Sequence, residues 1–508
     1  MFKDLLASDI EKGIKGQNIG IPTGFPNIDK NINGIQKSIY TIVGGNSGCL
    51  ALDTNVIMFD GTMKKVQDVV VGDQLMGPDS KPRNVLELYR GDSIMYWVHQ
   101  TNGMSYRVNI EHILSLVDRN DGCIKNISIQ NIIYIDNGVV NNIKLNYNGY
   151  GYDMHTKSLI DKGRITLVRD KIDNYYGFEL DGDHLFLLED FTVTHNTGKT
   201  SYVDLAYVLN PYDWWLKNRE TTNIKLKWVY RSMERNIKYK LAKWACLKLF
   251  RDYNIIMDVP TMLGWQGRKY VITDELKDKI FEAGAYFDTM FDSGVIDMID
   301  GSANPTGIYN YLKKVALDNG EIIQINEFTR RYIPKDENLH IITINDHIGK
   351  LSNERNEGTY LTDKQLLDLH SHYMGLVRDR YGIAPIDISQ FNRSIGSVSR
   401  MNAKDVSPEP DDFKGSGDMY ENADVALGLF NPFKFKINNF MGYDINKFVG
   451  PGGENRFRSI SIIKNSYGAD DIIIGLNFLG ENGMFREMPI SDKFTMNPSY
   501  YDKAVKFE

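Results

Sequence analysis

The sequence predicts an α/β fold organised around a phosphate-binding loop, with that loop cut in two by a long insert. Three observations carry the expectation. Ser38-Ile-Tyr-Thr-Ile-Val43 reads as a short buried strand that runs into Gly44-Gly-Asn-Ser-Gly48. Far downstream, Thr197-Gly-Lys-Thr-Ser201 opens a helix-like stretch, Tyr202-Val-Asp-Leu-Ala-Tyr-Val208. Removing residues 49 to 196 joins Gly45-Asn46-Ser47-Gly48 to Thr197-Gly198-Lys199-Thr200. The product is a complete G-x-x-x-x-G-K-[ST] loop with a strand before it and a helix after it. A lone Gly-Lys-Thr tripeptide would be a chance occurrence in a loop. Two complementary halves, each with the right element on its outer side, are not.

Composition bounds the rest. With 42% hydrophobic and 25% charged residues, the chain has ordinary globular values and is not disordered as a whole. Its 508 residues suggest two to four domains at about 150 residues each. No apolar run reaches the roughly 18 residues of a membrane span, so no membrane association is expected. The start, Met1-Phe-Lys-Asp-Leu-Leu-Ala-Ser-Asp-Ile10, has acids inside its apolar stretch and does not read as a signal peptide. Three cysteines, Cys49, Cys123 and Cys246, cannot build a disulfide framework, and a reducing, cytoplasmic setting is expected. The net charge of -7 argues against coating nucleic acid by bulk charge. That charge is unevenly shared. The 148-residue insert holds 14 basic and 20 acidic residues, which leaves 45 basic and 46 acidic residues on the flanking 360.

The insert resembles an intein of the Hint fold. It begins Cys49-Leu-Ala-Leu-Asp-Thr-Asn-Val56, close to that family's first block, and ends Thr194-His195-Asn196 before the hydroxyl residue Thr197. Phe59-Asp-Gly-Thr62 and Val71-Gly-Asp-Gln-Leu75 follow the family's turn and strand pattern, and Tyr176-Gly-Phe-Glu-Leu-Asp-Gly-Asp-His184 resembles its penultimate block. The resemblance implies an all-β element that excises itself without a cofactor. The Cys49 sulfur would attack the Gly48 carbonyl, and the Thr197 hydroxyl would take over the acyl group. Cyclisation of Asn196, assisted by His195 and His184, would cut the insert free. His112, in Tyr106-Arg-Val-Asn-Ile-Glu-His112, matches the histidine that polarises the first scissile bond. Asn109 stands where the family usually has Thr, and Gly177 where many relatives have Asp. His99 and His155 match no block and read as surface or strand residues; Cys123 reads as a buried or loop thiol. Residues 118 to 165 are too few for a homing endonuclease, so a splicing-only element is expected.

The flanking residues resemble the RecA-like motor of DnaB-type helicases, a twisted, mostly parallel sheet with helices on both faces. Ile21-Pro-Thr-Gly-Phe-Pro-Asn-Ile-Asp29 looks like that group's lead-in to the phosphate loop. Lys227-Trp-Val-Tyr-Arg-Ser-Met-Glu234 reads as a strand ending in a carboxylate, in the place of the family's water-activating Glu. Leu339-His-Ile-Ile-Thr-Ile-Asn-Asp346 has the pattern of a Walker B strand. Ser389-Gln390-Phe-Asn-Arg393 resembles the Ser-Gln-Leu-Asn-Arg motif, whose Gln senses the γ-phosphate. Phe413-Lys-Gly-Ser-Gly-Asp-Met-Tyr-Glu-Asn-Ala-Asp-Val-Ala-Leu427 resembles the run Ser-Gly-x-Ile-Glu-Gln-Asp-Ala-Asp-Val, and these last two motifs together are the most specific match outside the loop. Lys464 matches the lysine of a Lys-x-Arg strand that reaches a neighbouring subunit, but Ser466 replaces the finger arginine; Arg456 and Arg458 are near in sequence.

The resemblance implies an ATP site formed by Gly45, Asn46, Ser47, Gly48, Thr197, Gly198, Lys199, Thr200 and Ser201. Mg²⁺ would lie at Thr200 and Asp346, and Glu234, Gln390 and Lys464 would take part in hydrolysis. Lys350-Leu-Ser-Asn-Glu-Arg355 and Ser397–Lys404 are candidate contacts for a DNA strand. Implied partners are single-stranded or forked DNA, further copies in a homo-hexamer, and a primase or other replisome protein. The expected division is residues 1–48 and 197–508 for the motor and 49–196 for the insert; 48 residues leave no room ahead of Cys49 for the helical domain of the bacterial enzymes. A RecA/KaiC-like ATPase without unwinding activity is the alternative for the motor.

Overall fold

The structure is a computed structural model. It describes residues 10–11, 13–14, 20–45, 50–70, 72–77, 82–109, 112–119, 124–129, 142–153, 158–180, 186–190, 193–194, 199–233, 236–257, 259–263, 272–327, 329–356, 358–391, 400, 407–413, 417–435, 437–449, 455–480, 482–497 and 499–506.

Nine strands form one sheet. They are β1 (Thr41–Gly44), β2 (Lys225–Ser232), β3 (Ile296–Asp300), β4 (Leu339–Asp346), β5 (Ala384–Ile388), β6 (Val425–Phe430), β7 (Phe457–Asn465), β8 (Ile472–Leu479) and β9 (Met484–Glu487). Their spatial order is β3-β2-β4-β5-β1-β6-β7-β8-β9. The first six pair in parallel, and β7, β8 and β9 add antiparallel at one edge. Parallel neighbours need crossovers, and the chain supplies helices for them.

Those helices cover both faces. Helix α1 (Pro26–Ile32) precedes β1. Helix α2 (Lys199–Asp204) passes through a π turn, Leu205–Leu209, into α3 (Asn210–Asn218). Then come α4 (Ile237–Tyr253), α5 (Asp274–Asp292), α6 (Pro305–Asp318) and α7 (Asp363–Tyr381). On one face Val43, Trp228, Tyr230, Ile344 and Ile388 pack with Tyr202–Leu209, Trp244 and Phe287. On the other, Ile42, Val229, Ile341 and Ala426 pack with Leu312, Met374 and Val377. Adjacent residues of β1, β2 and β6 thus point to opposite, buried faces, and β6, Val-Ala-Leu-Gly-Leu-Phe, reads as an unbroken apolar run. Helix starts follow capping chemistry. Asn236 accepts from Tyr239 N at the head of α4, and Thr362 and Gln365 form a capping box at the head of α7.

The insert forms a separate ten-stranded sheet with its own core. Its two longest strands, Pro82–Gln100 and Ser158–Leu180, pair antiparallel along most of their length. Leu50, Val98, Val108, Leu114, Leu116, Ile165 and Leu167 are among the side chains that fill it. The strand expected to reach Glu234 ends at Ser232, and residues 250–330 resolve into helices, strand β3 and a hairpin, Gly320–Gln324 with Arg330–Pro334. Among the described residues no helix is long and apolar enough to cross a membrane.

Candidate functional site

The carboxyl ends of β1, β2, β4 and β5 converge, the place where open parallel sheets bind ligands. Strand β1 ends at Gly44 between β5 and β6. Only glycine fits there: a Cβ would stand 2.2 Å from Phe391 Cε1 and 2.8 Å from Phe413 Cε1. Ser389 N donates to the Val43 carbonyl at 2.8 Å and Phe391 N to the Gly45 carbonyl at 2.9 Å. Gln390, between those two donors, is therefore held against the first half of the phosphate loop.

The second half arrives from the other side. Helix α2 starts at Lys199, and Tyr202 and Val203 enter the core that holds Val43 and Ile388. Thr200 Oγ1 donates to Asp346 Oδ1 at 3.0 Å. The strand before the interruption and the helix after it are thus in place. Asn46, Ser47, Gly48, Thr197 and Gly198 lie outside the described residues, as does the Lys199 side chain.

Asp346, at the end of β4, is fully buried in a polar cluster. Its Oδ2 accepts from Lys240 Nζ at 2.5 Å and lies 3.0 Å from Tyr230 OH. Lys240 also donates to Tyr230 OH at 2.6 Å and to both Asp204 oxygens at 3.4 Å, and Tyr230 OH donates to Asp204 Oδ1 at 2.7 Å. Burial alone would raise the Asp346 pKa; the Lys240 ammonium and its hydrogen bond outweigh that and hold the carboxyl below the usual range. Burial, then the charges of Asp204 and Asp346, push the Tyr230 phenol well up, so it stays a neutral donor. Met233 N donates to the Asp346 carbonyl at 2.7 Å, one residue before Glu234, which lies outside the described residues.

Sequence reasoning missed Asp204, Tyr230 and Lys240. A signal existed for Lys240: it sits four residues before Trp244 and seven before Leu247, on the buried stripe of α4.

The other expected residues make contacts within their own chain. Lys464 Nζ donates to the carbonyls of Tyr420 and Glu421, at 2.9 Å each, and so caps the helix Gly417–Asn422. Arg456 and Arg458 are buried within the fold. Arg458 donates to the Asn455 and Phe457 carbonyls, and burial pushes its pKa down to about 10. Of the two loops expected to face a strand, the first carries Arg355, whose guanidinium lies 4.2 Å above the exposed Tyr360 ring. In the second, Arg400 is tied to the buried Asp412 at 2.7 Å; the rest of Ser397–Lys404 lies outside the described residues.

In the insert, the strands on either side of one turn pair with segments adjoining its two ends. Leu50, next to Cys49, pairs with Val108, and Leu50–Ala51 also pair with Tyr175–Tyr176. Thr194, next to His195, pairs with Leu114. Val108 and Leu114 flank a turn in which His112 N donates to the Asn109 carbonyl at 2.9 Å. Asn109 and His112 are 1% and 2% exposed, so both side chains are buried in the insert. Cys49, His184, His195, Asn196 and Thr197 lie outside the described residues, as do Cys123 and His155. His99 is a strand residue, its Nδ1 2.7 Å from Ser105 Oγ.

Sheet order and site together define the class: an open, mostly parallel α/β fold with a β domain inserted between its first strand and the helix that follows. Residues 49–142 match the family model described as Hom_end-associated Hint, so the insert carries an intein-type Hint domain. A stretch of 84 residues is 36% identical to the catalytic subunit of the V-type proton ATPase of Candida tropicalis, covering 15% of this chain and only 8% of that relative's length. Among solved structures, a DnaB-like replicative helicase described with its interactions with primase is similar at 10% identity and TM-score 0.46, covering 96% of this chain and 67% of that one. A solved ATPase domain is similar at 14% identity and TM-score 0.41, covering 57% of this chain and 81% of that one. A DnaB intein from Synechocystis sp. PCC 6803 is similar at 11% identity and TM-score 0.24, covering 30% and 99%.

Proposed function

We propose that the chain is an intein-containing precursor of a DnaB-like, ATP-dependent DNA helicase. Residues 49–196 excise themselves and join Gly48 to Thr197, which restores the phosphate loop. The single observation that carries this reading is the double pairing of the 106–118 segment, with Leu50 on one side and Thr194 on the other. That register sets Leu50, one residue after Cys49, and Thr194, two residues before Asn196, on the strands that flank Asn109 and His112. Protein splicing requires the junctions together, because the acyl group passes from one to the other.

The steps follow from the residues at those junctions. The Cys49 thiolate attacks the Gly48 carbonyl; the C–N bond breaks and a thioester forms. His112 is the group that would donate to the departing amide nitrogen. The Thr197 hydroxyl then attacks the thioester, and the Cys49 thiol leaves. The Asn196 amide nitrogen attacks its own carbonyl carbon and closes a succinimide, with His195 and His184 as proton donors. Finally the freed Thr197 amine attacks the ester and leaves a Gly48–Thr197 peptide bond. Bonds broken and formed balance, and no external reactant enters until the succinimide hydrolyses.

In the spliced chain, the backbone amides of residues 45–48 and 197–199 would cradle the ATP phosphates at the start of α2, with Lys199 neutralising charge. The residues present fit a magnesium ion. Thr200 Oγ1 and Asp346 Oδ1 are hard oxygen donors 3.0 Å apart, and one ammonium, Lys240, faces two buried carboxylates there. Bound at Thr200 and Asp346, the ion would neutralise charge on the β- and γ-phosphates. Glu234 would orient the attacking water, and Gln390 would contact the γ-phosphate. Arg355 and Tyr360 would face the DNA strand.

A second reading, a RecA/KaiC-like ATPase without unwinding, is favoured by one observation: Lys464 caps a helix of its own chain, and Arg456 and Arg458 are buried. A forked-duplex assay on the spliced chain separates the two. ATP-dependent strand separation supports the helicase; DNA-stimulated hydrolysis without separation supports the second reading.

A further inference from the structure

A second buried polar cluster lies behind the ATP site, on the opposite face of the sheet from Lys240. Its centre is Asp387, on β5, with no exposed surface. Asp387 Oδ1 accepts from Asn345 Nδ2 at 2.7 Å. Its Oδ2 accepts from Tyr40 OH at 2.7 Å and lies 2.9 Å from His370 Nε2. Tyr40, Asn345 and His370 are also fully buried.

The positions of these partners matter more than their number. Tyr40 immediately precedes β1, which runs into the phosphate loop. Asn345 immediately precedes Asp346. Asp387 itself stands three residues before Gln390. In register, Asp387 is the cross-strand partner of Ile42 on one side and Asn345 on the other. One carboxylate therefore bridges the three strands that carry the loop, the Walker B acid and the expected γ-phosphate sensor. His370 attaches the same oxygen to α7, and Arg378 of α7 donates to Asp424 Oδ2, which also accepts from Tyr40 N at 2.8 Å.

A buried carboxylate is a costly way to stabilise a sheet, since an apolar residue of similar volume often serves as well. What a buried, hydrogen-bonded polar cluster supplies is fixed geometry. Here that geometry is the separation of the ends of β4 and β5.

We propose that Asp387 is a positioning residue for ATP hydrolysis. It sets the placement of Gln390 relative to Asp346 by clamping β5 to β4 and β1. This rests on the ATPase reading given above.

The test is a double-mutant cycle on the spliced protein: wild type, Asp387→Asn, Gln390→Ala and the double variant. ATP turnover, binding of a fluorescent ATP analogue and melting temperature are measured for each. Asp387→Asn is expected to lower kcat about tenfold, as small misplacements do, with nucleotide affinity within about twofold. The double variant is expected to be no slower than Gln390→Ala alone. If the two losses multiply, or if the Asp387→Asn loss disappears on cooling in step with a lowered melting temperature, Asp387 is merely structural and the proposal fails. Should Asp387→Asn not fold, Tyr40→Phe removes one donor to the same carboxylate and takes its place in the cycle with the same two outcomes. A spliced wild type that binds the analogue without hydrolysing ATP would overturn the ATPase reading, and this inference with it. Hydrolysis by wild type with multiplying losses would overturn the inference alone.

Discussion

Lys240 donates to Asp346 across 2.5 Å, with each side chain 1% exposed. The same ammonium is 3.4 Å from Asp204, whose side chain is 3% exposed. Removing it leaves two buried carboxylates without the ammonium that pairs with both. Lys240→Met is therefore expected to destabilise the spliced protein by about 3–5 kcal/mol, the usual consequence of breaking a buried pair from one side. Adding Asp204→Asn should recover part of that loss, because only one carboxylate then remains. Urea unfolding of the three proteins measures it. Equal stability of wild type and Lys240→Met would mean the pair is not formed as described.

The pH dependence of stability should carry a contribution from His340, the second residue of β4. Burial, and then the Lys37 ammonium, push its pKa down to about 3. The unfolded chain takes up that proton near pH 6.5. Between those values the folded state binds fewer protons, so stability is full above about pH 6.5 and falls as pH drops toward 3. Comparing melting temperatures of wild type and His340→Gln at pH 7 and pH 5 isolates this group. Wild type should lose more than the variant over that interval. Equal losses would contradict the assignment.

Asn109 is 1% exposed, and its carbonyl accepts from His112 N. It occupies the place where the intein pattern has Thr, beside the histidine expected to act on the first scissile bond. Asn109→Thr is expected to speed thioester formation by roughly threefold to tenfold, a fraction of what a well-placed proton donor contributes. Thiol-induced cleavage at Gly48, followed in an Asn196→Ala background, reports that step alone. A slower or unchanged rate would show that Asn109 is the better partner for this site.

How much of this was legible in the sequence differs between elements for physical reasons. Leu339–Asp346 was readable to the residue, because a parallel strand buried on both faces writes a mostly apolar, β-branched stretch that here ends in an acid. The split loop was readable because both halves carry their own flanking element. Lys240 was not, since a lysine on a buried helical stripe signals a partner without naming it, and Asp346 lies 106 positions away. The pairing of Leu50 with Val108 and of Thr194 with Leu114 was out of reach as well. Antiparallel register between distant segments depends on the whole sheet, not on local pattern. Lys464 shows the converse: its residue type matched a motif, while the carbonyls of Tyr420 and Glu421 that hold it left no local mark.

The central claim is that residues 49–196 remove themselves and restore the loop. It is tested by expressing the full 58.1 kDa chain and measuring intact masses over time. The account predicts a 360-residue product with Gly48 joined to Thr197, together with the free 148-residue insert, and a Cys49→Ala chain that stays at full length. A wild-type chain that persists at 508 residues with no ligated species would contradict it.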